Sequence, residues 1–120
     1  MRFSEAMRLG AMLRPRQAFW LLHDPSDNST CAMGAACEAV GILDTIEYGG
    51  RYTGKGPQEW RWITMAMLCP ACSHFHDQVQ ALVIHLNNDH RWTRERIADW
   101  VEAQETGLEA SQPVSAAIGA

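Results

Sequence analysis

The chain has 120 residues, and no apolar run in it is long enough to span a membrane. Its first stretch, MRFSEAMRLGAML, has neither a long apolar h-region nor a small-residue cleavage site, so no secretory signal is expected. Basic charge is also short: ten Lys and Arg stand against fourteen Asp and Glu, a formal net charge of -4. Nucleic-acid binders usually carry a basic field. DNA or RNA is therefore not the favoured partner, although a local basic patch would be compatible with one. Internal repeats are absent, which excludes a solenoid. Cysteine is sparse, with four residues. Without an export signal the expected setting is the cytoplasm, where thiols stay reduced and paired cysteines more often bind metal than form disulfides.

A chain of this length suits one domain. It can bury a real core but keeps little surplus stability, so a staple would help. Turn and periodicity signals predict mostly helices. Ser4 is the expected N-cap of a first helix that ends at Arg14-Pro15. Gln17 to His23 reads as a strand or buried turn, and Asp24 to Asn28 as a loop. Ser29 or Thr30 would cap a second helix that stops at Gly41. Ile46 to Thr53 reads as two short strands around Gly49-Gly50. Pro57 to Leu68 fits a helix or a strand. Asp77 to Leu86 reads as a helix with Val79, Leu82, Val83 and Leu86 on one face, broken by Asn87-Asn88-Asp89. Thr93 would cap a last helix carrying Ile97, Trp100 and Val101 as its buried stripe.

The strongest chemical signal is CPACSHFHDQVQALVIHLNNDH, residues 69 to 90. Cys69 and Cys72 have two residues between them, His85 and His90 have four, and twelve separate the pairs. This spacing falls within the zinc-finger pattern. A tight Cys-Pro-Ala-Cys turn brings two thiolates to one edge of a tetrahedron. One histidine near a helix end and another just beyond it supply the opposite edge. His74 and His76 are rival ligands because they lie beside Cys72, and Asp77 and Asp89 are candidates to orient a histidine. Four such ligands leave no open position, and no His-x-Glu accompanies the cysteine pair, so a structural zinc is expected in place of a catalytic one. In finger register the base-reading positions would be Gln78, Ala81 and Ile84. Only the glutamine has a useful base-reading edge.

Other constellations carry less. Gly49 to Lys55 (GGRYTGK) matches part of a P-loop, but Gly56 stands where Ser or Thr would hold magnesium and Pro57 follows at once. Cys31 sits at a predicted helix N-terminus, where a thiol pKa falls, and is the candidate nucleophile of a cysteine hydrolase. The competing reading is a small buried thiol among alanines. Of five tryptophans, Trp92 and Trp100 are expected core anchors of the last helix. Trp20, Trp60 and Trp62 are either core or, with Arg51 and Tyr52, a partner-binding surface.

Ser29 to Gly41 (STCAMGAACEAVG) and Val83 to Val101 (VIHLNNDHRWTRERIADWV) resemble a group of small uncharacterised proteins from bacteria and their phages. The group shows a Cys-Ala-Leu-Gly-Ala helix and a His-Leu-Asn-Asp stretch leading into a Trp-Thr-Arg-Glu helix. Here Met33 replaces the leucine and Asn88 the aspartate. The resemblance covers about half the chain and implies no activity. It implies that His85-Leu86-Asn87 and Trp92-Thr93 are built as one unit, and that the gene is of bacterial, phage or prophage origin.

Together these readings predict a small α+β domain, mostly helical, with one zinc-finger-like metal site. It would span residues 1–105, with a flexible Ala/Ser/Gly-rich tail over 106–120. The expected function is a non-enzymatic, zinc-stabilised protein-interaction module: an inhibitor, adaptor or virion component. The alternatives are a nucleic-acid-binding regulator using Arg91, Arg94 and Arg96, and the Cys31 hydrolase.

Overall fold

In the computed structural model, residues 1–43 and 56–110 are described. Four α-helices, one 3-10 helix and two short antiparallel hairpins make up the described residues: α1 (Phe3–Leu13), β1 (His23–Asp24), β2 (Ser29–Thr30), α2 (Ala32–Ala39), the 3-10 helix Gln58–Thr64, β3 (Met67–Leu68), β4 (Phe75–His76), α3 (Val79–Asn88) and α4 (Arg94–Ala110). The fold is thus a small, mostly helical α+β structure. No helix among the described residues is long and apolar enough to cross a membrane. The expected strands at 46–53 and the basic loop carrying Arg51, Tyr52 and Lys55 lie outside the described residues, as does 111–120 of the expected tail.

The first helix starts and ends where its chemistry requires, but not through the expected cap. Arg2 holds the N-cap position without a side-chain capping bond. Ser4 lies inside the helix, and both its N–H and its hydroxyl donate to the buried Glu105 carboxylate of α4. A carboxylate beside free N–H groups at a helix start is favoured by the helix dipole. α1 packs chiefly on α2 and α4. Its approach to α2 is close because Gly10 faces the Ala35 carbonyl, which a Cβ at that position would meet at 1.9 Å.

The second helix is entered from a strand. Ser29 and Thr30 pair with His23 and Asp24, so neither caps α2. Cys31 is the N-cap, its Sγ accepting from the Gly34 N–H at 3.3 Å. The end of α2 is as expected. Gly41, at φ 76, and Ile42 donate to the carbonyls of Glu38 and Cys37, the paired bonds of a glycine-terminated helix. Gly34 packs against the Leu22 carbonyl, 2.0 Å from where its Cβ would be.

Pro57 to Leu68 resolves into the 3-10 helix followed by β3. The 3-10 helix carries the largest buried side chain, Trp60, into the core beside Phe3, Met7, Met33 and Ile63. The rings of Phe3 and Trp60 meet edge to face with centroids 5.0 Å apart, and the Trp60 indole N–H donates to the Met1 carbonyl. Trp60 is therefore a core residue and not a partner-binding one. Trp62 is partly buried against the same cluster.

Val79, Leu82, Val83 and Leu86 are fully buried, as are Ile97 and Val101, while Trp92 and Trp100 pack half-buried on the core. Two boundaries differ from expectation. α3 runs on through Asn87 and Asn88, which are buried and bonded rather than helix-breaking. α4, whose Thr93 hydroxyl accepts from the Arg96 N–H, continues through residues 106–110, so the expected tail does not start at 106. Local composition failed there because Glu105 is tied to Ser4 and Glu109 pairs with Arg2.

The glycines yield a prediction with opposite signs. Gly10→Ala forces a methyl into backbone and should cost about 3 kcal/mol or more. Gly107 lies in α4 with open space around it, so Gly107→Ala should gain about 1 kcal/mol of helix propensity. Thermal melts of both variants check this.

Candidate metal centre

The centre is assembled from a hairpin and the helix that follows it. β3 and β4 pair in register Met67↔His76 and Leu68↔Phe75, so the residues between them form a tight knuckle. Its turns are closed by backbone bonds. The Cys69 N–H donates to the His74 carbonyl at 2.8 Å, and the Ser73 N–H to the Cys69 carbonyl at 2.8 Å. Ser73 adopts φ 64 to complete the turn. Within it the Ala71 N–H points at the Cys69 sulfur, 3.4 Å away, a contact that favours a thiolate. Phe75 is not a finger-type core aromatic: it is 68% exposed beside exposed Leu68. The core under the knuckle comes from α3 instead, where Leu82 and Val83 are fully buried.

The Val79 N–H donates to the Met65 carbonyl, which ties the start of α3 to the end of the 3-10 helix. The helix then presents His85 in its last turn, and the chain turns beyond Asn88 to bring His90 back. The ligand atoms of Cys69, Cys72, His85 and His90 all lie within 4.8 Å of one another. The Nε2 atoms of His85 and His90 are 3.0 Å apart, and Cys72 Sγ is 3.5 Å from His85 Nε2. Zinc–ligand bonds of about 2.0–2.3 Å place neighbouring corners of a tetrahedron roughly 3.3–3.8 Å apart. The four donors are therefore close enough to hold a metal ion with small side-chain adjustments. Cys69 is buried and the other three are partly buried.

The rival ligands sit differently. His74 is exposed and takes part through its carbonyl. His76 stacks against His85, with centroids 4.6 Å apart and planes tilted by 40°. Among the described residues its buried Nε2 has no hydrogen-bond partner, and burial, with His85 and His74 nearby, holds its pKa below the usual imidazole value. Of the two candidate orienting carboxylates, Asp89 fills the role: its Oδ2 lies 2.7 Å from His85 Nδ1. That bond leaves Nε2 of His85 turned toward the sulfurs, as a metal-ligating histidine requires. Asp77 is exposed.

The site is joined to the rest of the fold by a polar hub that the sequence reading missed. The side chain of Asn87, fully buried two residues after His85, accepts from Gln17 Nε2 at 2.8 Å and from the Ala32 N–H at 3.0 Å. It donates to the Ala18 carbonyl and to Asn88 Oδ1, each at 2.9 Å. Gln17 also holds the Trp92 carbonyl and the Arg94 N–H. Arg94 is buried and donates to the carbonyls of Arg14 and Pro15 and to the Thr30 hydroxyl. The signal available in sequence was the unit implied by His85-Leu86-Asn87 and Trp92-Thr93. The long-range partners had no local signature.

Cys31 lies at the edge of this hub, 3% exposed. Burial pushes its thiol pKa up, and pushes that of Cys37 up to about 12. Trp20 is 65% exposed.

No family model, curated protein or solved structure matches the chain.

The geometry separates the cysteines. Cys72→Ser removes a metal donor and should lower the melting temperature by several degrees or more, consistent with a loss of about 2 kcal/mol or greater. Cys31→Ser keeps a capping side chain at an N-cap and should cost about 1 kcal/mol or less. Equal melts for the two variants would contradict the ligand assignment.

Proposed function

We propose that Cys69, Cys72, His85 and His90 hold one structural zinc ion, and that the zinc-pinned domain is a non-enzymatic protein-interaction module. The observation that carries the first part is the convergence of two sulfurs and two imidazole nitrogens within 4.8 Å. A mixed thiolate and imidazole set in tetrahedral reach is the donor chemistry zinc prefers. Four protein donors leave no position at which the ion could activate water, so it stabilises the fold without performing hydrolysis.

The interaction reading rests on what the surface offers. Cys31 is a poor nucleophile, because attack needs a thiolate and burial favours the neutral thiol. A finger-like grip on DNA lacks readers: Ala81 is exposed but apolar, and Ile84 packs toward the core. Arg94, one of three arginines considered for a nucleic-acid contact, is committed internally. Exposed Trp20 supports a protein contact, since aromatic residues are enriched at interfaces. With the resemblance to bacterial and phage proteins, the role is that of an inhibitor, adaptor or virion component acting in the bacterial cytoplasm.

Elemental analysis of purified protein should give about one zinc per chain. Pull-down from a bacterial host should return a stoichiometric protein complex rather than salt-sensitive nucleic acid. A normally folded preparation without metal would overturn the zinc assignment.

Chelation should also loosen α4, because the turn after α3 and the Gln17–Arg94 contact couple it to the site. Hydrogen exchange should show residues 94–102 losing protection together with 69–76. Full protection of 94–102 in metal-free protein would make the two parts independent.

A further inference from the structure

We propose that Phe19, Trp20, Leu21, Arg91, Trp92 and Arg96 form the docking face for an acidic segment of a partner protein, one with an apolar side chain among its carboxylates. The proposal rests on the protein-interaction reading above and adds the surface and the partner's chemistry.

Arg2, Arg8, Arg14 and Arg16 each lie within 4 Å of a carboxylate. Arg91 and Arg96 are exposed, and neither makes an ion pair among the described residues. Each guanidinium instead lies over an aromatic ring, Arg91 at 4.2 Å from the Phe19 centroid and Arg96 at 3.8 Å from that of Trp92. Stacking fixes the plane of a guanidinium and leaves its N–H groups for a planar carboxylate. In a chain with fourteen acidic residues, two pre-oriented arginines without carboxylates complement an acidic partner.

The apolar anchor is beside them. Trp20 and Leu21 are 65% and 51% exposed and follow Phe19 directly. Backbone geometry supplies an independent reason to regard the face as built. Trp20 has φ 71 and Arg91 φ 55, a region that bulky residues seldom occupy. Such strain persists only where the surroundings enforce it. Here two hydrogen bonds enforce it: Asn88 Oδ1 accepts the Trp20 N–H at 2.9 Å, and the Trp92 N–H is held by the Leu86 carbonyl. The turn that carries Arg91 also carries His90, so the metal centre and this face share one short segment.

Single-stranded nucleic acid fits less well. Such a ligand needs a positively charged groove along its backbone, and this chain has ten basic against fourteen acidic residues, a formal net charge of -4.

The test uses the zinc-loaded full chain and a displayed library of random short peptides, with oligothymidylate as a second probe. Recovered peptides should be enriched in Asp and Glu around a Leu, Phe or Met. Their binding should shift amide resonances of residues 19–21 and 91–96. It should weaken about tenfold or more in Trp20→Ala and in the Arg91→Gln, Arg96→Gln double variant. Both variants should keep their zinc content and melting temperature, because the altered side chains are exposed or half-buried. Recovery of peptides without acidic residues, shifts mapping elsewhere, tighter binding of oligothymidylate, peptide-independent self-association through these residues, or no enrichment over bare resin would each overturn the proposal. A host protein captured equally by wild type and by both variants would overturn this face while leaving the interaction reading intact. No captured protein and no enriched peptide would overturn both.

Discussion

The buried amide of Asn87 is the contact on which the other parts of the structure converge. It binds the entry of α2 through the Ala32 N–H, the segment after α1 through Gln17 and the Ala18 carbonyl, and its own neighbour Asn88. A buried amide left without partners costs about 1–3 kcal/mol for each lost group, so this network is stable only when every member is in place. Its position in the chain gives it reach. Asn87 lies between His85 and His90, so the backbone that delivers two candidate metal ligands also delivers the hub.

The metal centre and the helical core therefore divide the work. On one side, α1 lies close to α2 through Gly10, and α2 lies close to the segment before β1 through Gly34, where backbone meets backbone. On the other, β3 and β4 add little apolar mass around the candidate ligands: Leu68 and Phe75 face outward. A two-stranded hairpin is marginal without further support, and a metal ion that joins the knuckle to α3 would provide it. The Asp89 contact to His85 turns the imidazole in advance and reduces the cost of ordering it on binding.

The hub also explains how an acidic domain displays an aromatic and basic face. Asn87 Nδ2 donates to the Ala18 carbonyl and Asn88 Oδ1 accepts the Trp20 N–H, which fixes the backbone on either side of Phe19, and the turn after α3 places Arg91 over Phe19. Arg94, between two outward arginines in sequence, points inward and donates to the carbonyls of Arg14 and Pro15. Three arginines close together in sequence thus have two different fates.

Local chemistry was enough to find the four side chains that converge within 4.8 Å, because the Cys-x2-Cys turn and a histidine near a helix end are short-range geometries that spacing encodes. It was also enough for the Gly41 helix end, the Thr93 cap and the apolar stripe from Val79 to Leu86, each set by neighbours within a few residues. It could not decide between His90 and the rivals His74 and His76, since that choice depends on how the chain turns after α3. Nor could it place Trp60 in the core and Trp20 on the surface, as both are the same residue type in similar apolar contexts. The failures at Ser4, Asn87 and residues 106–110 share a cause. Each polar group there is satisfied by a partner far along the chain, Glu105 for Ser4 and Gln17 for Asn87. The sequence by itself determined which residues could ligate and where most helices lie, because those depend on local backbone preference. Only the tertiary structure decided which polar side chains are buried, because burial depends on partners that local pattern does not specify.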